Sequence, residues 1–286
     1  MKAEDASRPL SEAVTAEPLS PAATETRAPY LAGAQNAASS LEQEPDPSAA
    51  VAVPSLYDGF LSRAAAPLSA VAATRESLWS LLSVRGLTVV FPALHRDYAQ
   101  GRQDAQAEAV RRKLLDDLSD ALRAAASDSA GLRPGMDLGL VCGNLEPDRS
   151  LIPVDGQQRL TTLFLLHWLL AFLSGRLESD PEIRNALLRF RFDGREPADR
   201  FCRRLVLQGP CASVPASGDS CISSRLRSCG WFTDDCERDL SVRGMLLMLD
   251  ALEERLTSLF DEGFPADRLF ALLTSAHPPV SFLTCR

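Results

Sequence analysis

Hydrophobic positions recur at helical spacing in three long segments of the chain. The first segment, residues 104–126, has a charged face and an opposite apolar stripe that includes Ala107, Val110, Leu114, Leu118 and Leu122. The second, RDLSVRGMLLMLDALEERLTSLF, has a similar stripe, formed by Met245, Leu249, Leu252, Leu256 and Leu259. The third, Gly156 to Ser174, is apolar on nearly every side. The spacing predicts three helices, of which the third is buried all round.

Shorter patterns predict strands and small helices around these three. LTVVFPAL is β-branched and apolar and predicts a strand over 87–94, stopped by Pro92. Alternation over 138–154, interrupted by the turn residues PDRS, predicts a β-hairpin. LRFRF at 188–192 and the final PPVSFLTC have strand character. Short helices are expected in ESLWSLLSV, in PEIRNALL, in EPADRFCRRLVL and over about 265–275, whereas 208–230 indicates a long loop.

The first 74 residues differ in composition from the rest of the chain. They are rich in Ala, Pro, Ser and Glu without helical or strand period, so they bury too little surface to offset chain entropy. We expect a disordered tail over 1–74. A short helix near Tyr57–Ala66, or a peptide that docks on a partner, is an alternative for part of it. Residues 75–286 are expected to form one helix-rich α+β domain with a small sheet.

Composition and charge narrow the class of protein. The net charge of −8 argues against a nonspecific coat on nucleic acid. Nearly all positive charge is arginine, which suits bidentate phosphate contacts, although a GC-rich genome gives the same usage. The N-terminus lacks a secretory pattern, and the longest apolar block, Leu160 to Phe172, is shorter than the ~20 residues that a bilayer needs. A soluble, cytoplasmic protein without a membrane partner is therefore expected.

Cysteine usage and motif searches exclude several chemistries. The seven cysteines form no Cys-x-x-Cys pair, and the spacings from Cys202 to Cys236 match no common zinc pattern, so reduced thiols are expected. His167 is expected to be a hydrogen-bonded core residue, and Trp168 and Trp231 are expected in the core. The chain contains no HExxH motif, Ser/His/Asp set or Walker loop, which excludes a P-loop NTPase.

The stretch VDGQQR, directly before the buried helix, concentrates hydrogen-bonding groups at a helix entrance. Asp155 at the N-cap and Gln158 at the third helical position would form a capping box. The same residues also fit an anion site, because a helix N-terminus offers free N–H groups, Gly156 allows close approach, and Arg159 can grip a phosphate. A divalent cation would then separate Asp155 from the phosphate. The residues alone leave both interpretations open.

A second polar cluster, HRDYAQGR, follows the strand predicted at 87–94. A solvated loop with local salt bridges is one explanation of it. Two arginine-bearing clusters, each at a strand end, favour a single anionic ligand shared by both.

These two stretches carry a family resemblance. IPVDGQQRLTTLFLLHWLLA closely resembles the hallmark of the GmrSD-type restriction endonuclease N-terminal domain family, and FPALHRDYAQGR resembles that family's first motif. Weaker similarity extends through LRFRFDGREPADRFCRRL, GWFTDD and RGMLLMLDALEE, so the resemblance runs from about residue 80 to the end. The resemblance implies a core similar to the ParB/sulfiredoxin nucleotide-binding fold, with DGQQR at a helix N-terminus.

The resemblance also implies a function and a set of residues. It implies binding of GTP or ATP with Mg²⁺, with NTP hydrolysis as a further expectation, and control of modified-DNA cleavage in defence against phage. DNA would be a partner through a separate HNH nuclease domain or chain. The catalytic positions carried over are Asp155, Gln157, Gln158 and Arg159, with Asp155 also meeting Mg²⁺. The nucleotide-binding positions carried over are Gly156, Arg96, Asp97, Tyr98, Gln100, Gly101 and Arg102.

The chain departs from the family pattern at two places. His95 stands where the family has Gln, which removes one amide from the expected nucleotide contact. An Asn-Ala-Arg-Gly-type motif and an HNH domain do not follow VSFLTC, so a fragment, a disrupted gene product or half of a split system is expected. DNA cleavage by this chain alone is not expected. A noncatalytic DNA-binding module and an inactive remnant remain as alternatives.

Overall fold

The computed structural model describes residues 73–128, 135–210 and 221–285. All of them belong to one compact unit, Ala65–Arg286. The disordered tail expected over 1–74 and the short helix expected near Tyr57–Ala66 lie outside these residues, except for the last two positions of the tail. A strand begins at Thr74, so regular structure starts one residue before the expected domain boundary.

The described residues form a helix-rich α+β fold, as predicted. The helices are α1 Ala105–Ser127, α2 Gln157–Leu173, α3 Arg176–Ser179, α4 Pro181–Leu187, α5 Glu196–Gln208, α6 Ile222–Arg227, α7 Asp234–Arg238, α8 Leu240–Asp261 and α9 Ala266–Leu273. The strands are β1 Thr74–Glu76, β2 Thr88–Phe91, β3 Met136–Leu145, β4 Ser150–Pro153, β5 Phe190–Phe192 and β6 Val280–Cys285. A π-helical turn spans Ser80–Val84, and a 3-10 turn spans Ala99–Gly101.

The strands form one mixed sheet in the order β1-β6-β3-β4-β2-β5. β4, β2 and β5 run parallel to one another, while β3 is antiparallel to β4 and parallel to β6. The carboxyl ends of parallel strands meet at one edge of a sheet, where α/β proteins commonly bind ligands. The segments 92–102, 154–159 and 193–195 follow β2, β4 and β5, so the topology brings both sequence motifs to the same edge.

The helix α2 is the centre of the core. Nearly all of its residues are buried, as its apolar sequence predicts, and it packs against α8 and α9. The stripe of α8 is buried too, including Met245, Leu249 and Leu256. Trp168 is fully buried and its indole N–H donates to the Leu205 carbonyl, whereas Trp231 is only partly buried.

His167 is only half satisfied in this core. Its Nδ1 is hydrogen-bonded to the Leu163 carbonyl at 2.7 Å, but its buried Nε2 has no partner among the described residues. The ring stacks on Trp79, with centroids 6.4 Å apart. Burial lowers the pKa of His167 to about 4, although the hydrogen bond to Leu163 opposes the shift. The expected core histidine is confirmed, but its expected full hydrogen bonding is not.

Most predicted elements are confirmed, including a short helical segment in ESLWSLLSV, and one prediction is wrong in part. The hairpin expected over 138–154 forms from β3 and β4, and the predicted short strand forms β5. Of the loop expected over 208–230, residues 211–220 lie outside the described ranges. The remainder contains the helix α6, whose first N–H groups bond to Asp250 and Glu253 of α8. The short helix expected in ESLWSLLSV is a π-helical turn preceded by two helical residues.

Candidate functional site

Gly156, not Asp155, is the N-cap of α2. Its φ of 101° is in the left-handed region, and a Cβ atom there would lie 2.8 Å from the Val141 side chain. No side chain caps this helix. The capping box expected from Asp155 and Gln158 is therefore wrong, because the close approach to β3 places the turn one residue later than the local sequence suggests.

Asp155 instead closes the turn with its own neighbours. Its Oδ1 accepts the Gly156 N–H at 2.7 Å, and its Oδ2 pairs with Nη2 of Arg159 at 2.7 Å. The backbone N–H groups of Val154 and Asp155 both donate to the carbonyl of Cys142 on β3. The turn is thus fastened to the sheet, and the Asp155 carboxylate remains largely exposed above it.

Arg159 reaches from α2 to a bulge in β3. Its Nη1 donates to the Leu138 carbonyl at 2.8 Å. The register between β3 and β6 shifts between Asp137 and Leu140, and Gly139 within that shift has a φ of 81°. A Cβ on Gly139 would lie 3.3 Å from the Arg159 guanidinium, so the glycine leaves room for it. Two of the bonds of Arg159 are therefore structural.

The two glutamines of the motif bind the other motif through its backbone. Nε2 of Gln157 donates to the Arg96 carbonyl, and Nε2 of Gln158 donates to the Asp97 carbonyl, both at 3.0 Å. Oε1 of Gln158 accepts the N–H groups of Ala99 at 2.7 Å and Gln100 at 3.2 Å. Both glutamines are buried. The amides hold segment 96–100 over the start of α2.

A buried network continues from this segment into the core. The Tyr98 hydroxyl lies 2.7 Å from Thr162 Oγ1, which donates to Gln100 Oε1 at 2.6 Å. Burial raises the pKa of Tyr98, against the opposing influence of Thr162 and Arg111, so the phenol stays protonated. Gly101 packs directly on Gly244 of α8, where a Cβ would lie about 2.0 Å from backbone atoms. Tyr98 and Gly101 therefore position the segment rather than face a ligand.

Arg195, which the sequence did not single out, holds the same segment from the β5 side. Its Nη1 donates to Asp97 Oδ1 at 2.8 Å and to Ser241 Oγ at 3.2 Å, and its Nη2 donates to the His95 carbonyl. Asp97 is consequently an internal partner. The sequence feature that could have predicted a role for Arg195 is its position. It lies in DGR, directly after LRFRF, which forms the third parallel strand.

A cleft of about 940 Å³ opens between the starts of α1 and α2 and the segment 94–102. Arg96, Arg102 and Arg159 all line it. Within the described parts of the chain, the guanidinium groups of Arg96 and Arg102 have no hydrogen-bonding or ionic partner. The same holds for the backbone N–H groups of Gln157, Gln158 and Arg159. The walls also carry exposed apolar side chains, of Leu94, Val110 and Val154.

The predicted site residues thus fall into two groups. Arg96 and Arg102 are exposed in the cleft, which Gly156 and the start of α2 also line. Asp97, Tyr98, Gln100, Gly101 and the Gln158 amide are engaged in internal contacts. In the described ranges no group of three or more His, Cys, Asp or Glu side chains could hold a metal, and both Asp155 oxygens already have protein partners.

Comparisons with known proteins add no identity to this geometry: no protein-family model and no curated protein matches the chain. Among the described helices, none combines the length and apolarity that crossing a membrane requires. The family resemblance of the two motifs remains a prediction.

Proposed function

We propose that the cleft binds the phosphate groups of a nucleoside triphosphate. The observation that supports this most is the convergence of two arginines without protein partners, Arg96 and Arg102, on the acceptor-free N–H groups at the start of α2. Helix N-termini and guanidinium groups are both favourable for oxyanions. A solvated arginine would also be stable at the surface, but two without partners that line one concave space beside a free helix N-terminus favour a ligand.

A second helix begins at the same cleft. The first turn of α1 lines the cleft through Gln106 and Ala107, but the Asp104 carboxylate caps this helix by accepting the Ala107 N–H. The free helix N-terminus in the cleft is therefore that of α2. Asp104 and Asp155 also line the cleft and would repel a bare phosphate, which is consistent with a Mg²⁺ ion accompanying the nucleotide.

The apolar wall suits the rest of a nucleotide. Leu94 is 97% exposed and Val154 71% exposed, and both border the polar floor. A single exposed apolar side chain needs no explanation, so these two support a ligand only because they line the same cleft as Arg96 and Arg102. A base or ribose lying on this wall would remove them from water.

Hydrolysis is the further step of the same proposal. Of the two glutamines, Gln158 uses both ends of its amide on segment 97–100, whereas Gln157 uses only Nε2. Oε1 of Gln157 has no hydrogen-bond donor in the described part of the chain. Gln157 is therefore the better candidate to orient a water for attack on a γ-phosphate. Control of modified-DNA cleavage with an HNH partner rests on the motif resemblance alone.

The test is calorimetric titration of the full chain with GTP and ATP in Mg²⁺, comparing wild type with Arg96→Gln and Arg102→Gln. Neither arginine side chain bonds to the described protein, so these changes should leave the thermal stability unaltered. We expect each to weaken binding by about tenfold to hundredfold, the usual worth of one charged hydrogen bond to phosphate.

Arg203→Gln is the matched control, since Arg203 is an exposed arginine of α5 outside the cleft. Its affinity should equal that of wild type. Absence of saturable nucleotide binding would reject the proposal. Salt-dependent retention of duplex DNA that is lost in Arg96→Gln and Arg102→Gln would then favour the noncatalytic DNA-binding alternative.

A further inference from the structure

Two cysteines occupy paired positions on neighbouring strands of the sheet. β3 and β6 run parallel, and Cys142 is in direct register with Cys285. Both side chains are partly exposed free thiols. Neighbouring strands are about 4.8 Å apart, which lies inside the Cα separation of about 4.4–6.8 Å that disulfides span. The Cα spacing of the pair is thus compatible with a disulfide.

Cys142 is also the residue that anchors the entrance of α2. Its carbonyl accepts the N–H groups of Val154 at 2.7 Å and Asp155 at 3.1 Å. Its thiol lies close enough to Asp155 and Arg159 to feel their charges. Any movement of Cys142 is therefore transmitted directly to the turn that borders the cleft.

We propose that Cys142 and Cys285 form a redox-reactive pair whose oxidation to a disulfide loosens the turn at Val154–Gly156. With glutathione disulfide as oxidant, one thiolate displaces a glutathione thiolate to form a mixed disulfide. The second thiolate then displaces the remaining glutathione. The two protein thiols lose two electrons and two protons, and one glutathione disulfide becomes two glutathione molecules.

The direction of the effect follows from strand spacing. A disulfide prefers Cα atoms about 5.5–6 Å apart, wider than the roughly 4.8 Å between neighbouring strands. Oxidation therefore pushes this end of β3 away from β6, toward the turn that follows β4. The Cys142 carbonyl moves with its strand, and because the 2.7 Å bond from Val154 has no room to shorten, the hydrogen bonds of the turn are distorted and weakened. Burial and the nearby Cys285 thiol raise the pKa of Cys142, which lowers its thiolate fraction and slows its reaction with an oxidant.

The first experiment needs no nucleotide. The full chain is equilibrated in glutathione buffers of graded potential, free thiols are alkylated, and peptides are mapped without reduction. We expect a linked Cys142–Cys285 peptide, and amide hydrogen exchange at Val154 and Asp155 about tenfold faster in the oxidised protein. No linked peptide in the wild type, or a linked peptide with unchanged exchange, would overturn the inference.

Three variants identify the pair. Cys142→Ser and Cys285→Ser should each abolish the response of amide exchange to oxidant. Cys221→Ser, which removes an exposed thiol that lies in another part of the fold, should keep it. A response that persists in both Cys142→Ser and Cys285→Ser would also overturn the inference.

A last measurement extends the inference to ligand affinity, and this part rests on the proposed function. The oxidised protein should bind the nucleotide at least several-fold more weakly than the reduced protein. If the reduced protein binds no nucleotide but its exchange still responds to oxidant, the proposed function fails while the redox pair stands.

Discussion

Gln158 holds segment 97–100 in place through backbone contacts alone. Its amide makes three hydrogen bonds to the backbone of segment 97–100, and it is buried. A buried N–H or carbonyl that loses its partner costs about 1–3 kcal/mol. The residue therefore stabilises the segment through groups that no other described side chain satisfies.

Replacement of Gln158 by Leu should lower the free energy of unfolding by about 2–4 kcal/mol, because the Ala99 and Gln100 N–H groups and the Asp97 carbonyl lose their partner. Urea denaturation monitored by circular dichroism measures the change. Gln157→Leu, which removes a single bond to the Arg96 carbonyl, is the comparison and should cost about 1 kcal/mol. Equal losses in the two variants would contradict this assignment.

Arg159 illustrates what the sequence could and could not predict at this scale. Its position four residues after Asp155 fits the ion pair that forms. Its second partner, the Leu138 carbonyl, depends on a bulge in another strand, which no local pattern reports. Gly139 within the alternating stretch MDLGLVCGNLE was the one hint of that bulge. The cleft residues were predictable from the two motifs, but the internal or exposed role of each was not.

At the scale of elements, the contact between the 3-10 turn and α8 shapes one wall of the cleft. Gly101 and Gly244 touch backbone to backbone, and a Cβ on Gly244 would lie 2.6 Å from the Tyr98 carbonyl. Neither glycine has a positive φ, so the requirement is for space rather than for an unusual conformation.

Gly101→Ala should therefore force the turn away from α8 and destabilise the protein by about 1–3 kcal/mol, the usual cost of overpacking. Differential scanning calorimetry would show a lowered Tm. Gly230→Ala is the matched control, because nothing lies within 4 Å of a Cβ there, and its Tm should be unchanged or slightly raised. If Gly101→Ala had the same Tm as the control, the turn would be able to move away from α8 without loss of stability, which would contradict this prediction.

The type of each element was largely predictable because the spacing of hydrophobic residues is a local property of the sequence. Apolar stripes predicted the helices α1 and α8, and uniform apolarity predicted the buried helix α2. The order of strands, the π-helical turn and the short helix α6 depend on distant partners instead. The start of α6 is held by Asp250 and Glu253, about thirty residues away, so its own sequence resembles a loop.

For the whole molecule, the buried His167 makes stability depend on pH. Its imidazole is neutral in the core, and its pKa falls from 6.5 to about 4. Between pH 6.5 and 4, His167 is therefore protonated in the unfolded chain but neutral in the folded chain. The stabilisation is fully present above pH 6.5 and is lost as pH falls toward 4, by about 3 kcal/mol in total.

His167→Leu should remove this dependence. The difference in unfolding free energy between wild type and variant, measured in urea from pH 4 to 8, should be constant above pH 7. Below pH 6.5 the wild type should lose stability relative to the variant by about 1.4 kcal/mol for each pH unit. Other titrating groups cancel in that difference. A difference that stays constant from pH 4 to 8 would mean that the pKa of His167 is the same in the folded and unfolded states.

The glutamine contacts determine how freely the first motif could diverge. The hydrogen bonds of Gln157 and Gln158 to this segment all go to main-chain atoms, so they do not depend on the side chains that the segment carries. Side-chain identity matters instead at Asp97 and Tyr98, which have partners of their own. The side chains at 94–96 have neither constraint. A library randomised at those three positions should accordingly keep the fold while it varies the chemistry of the cleft.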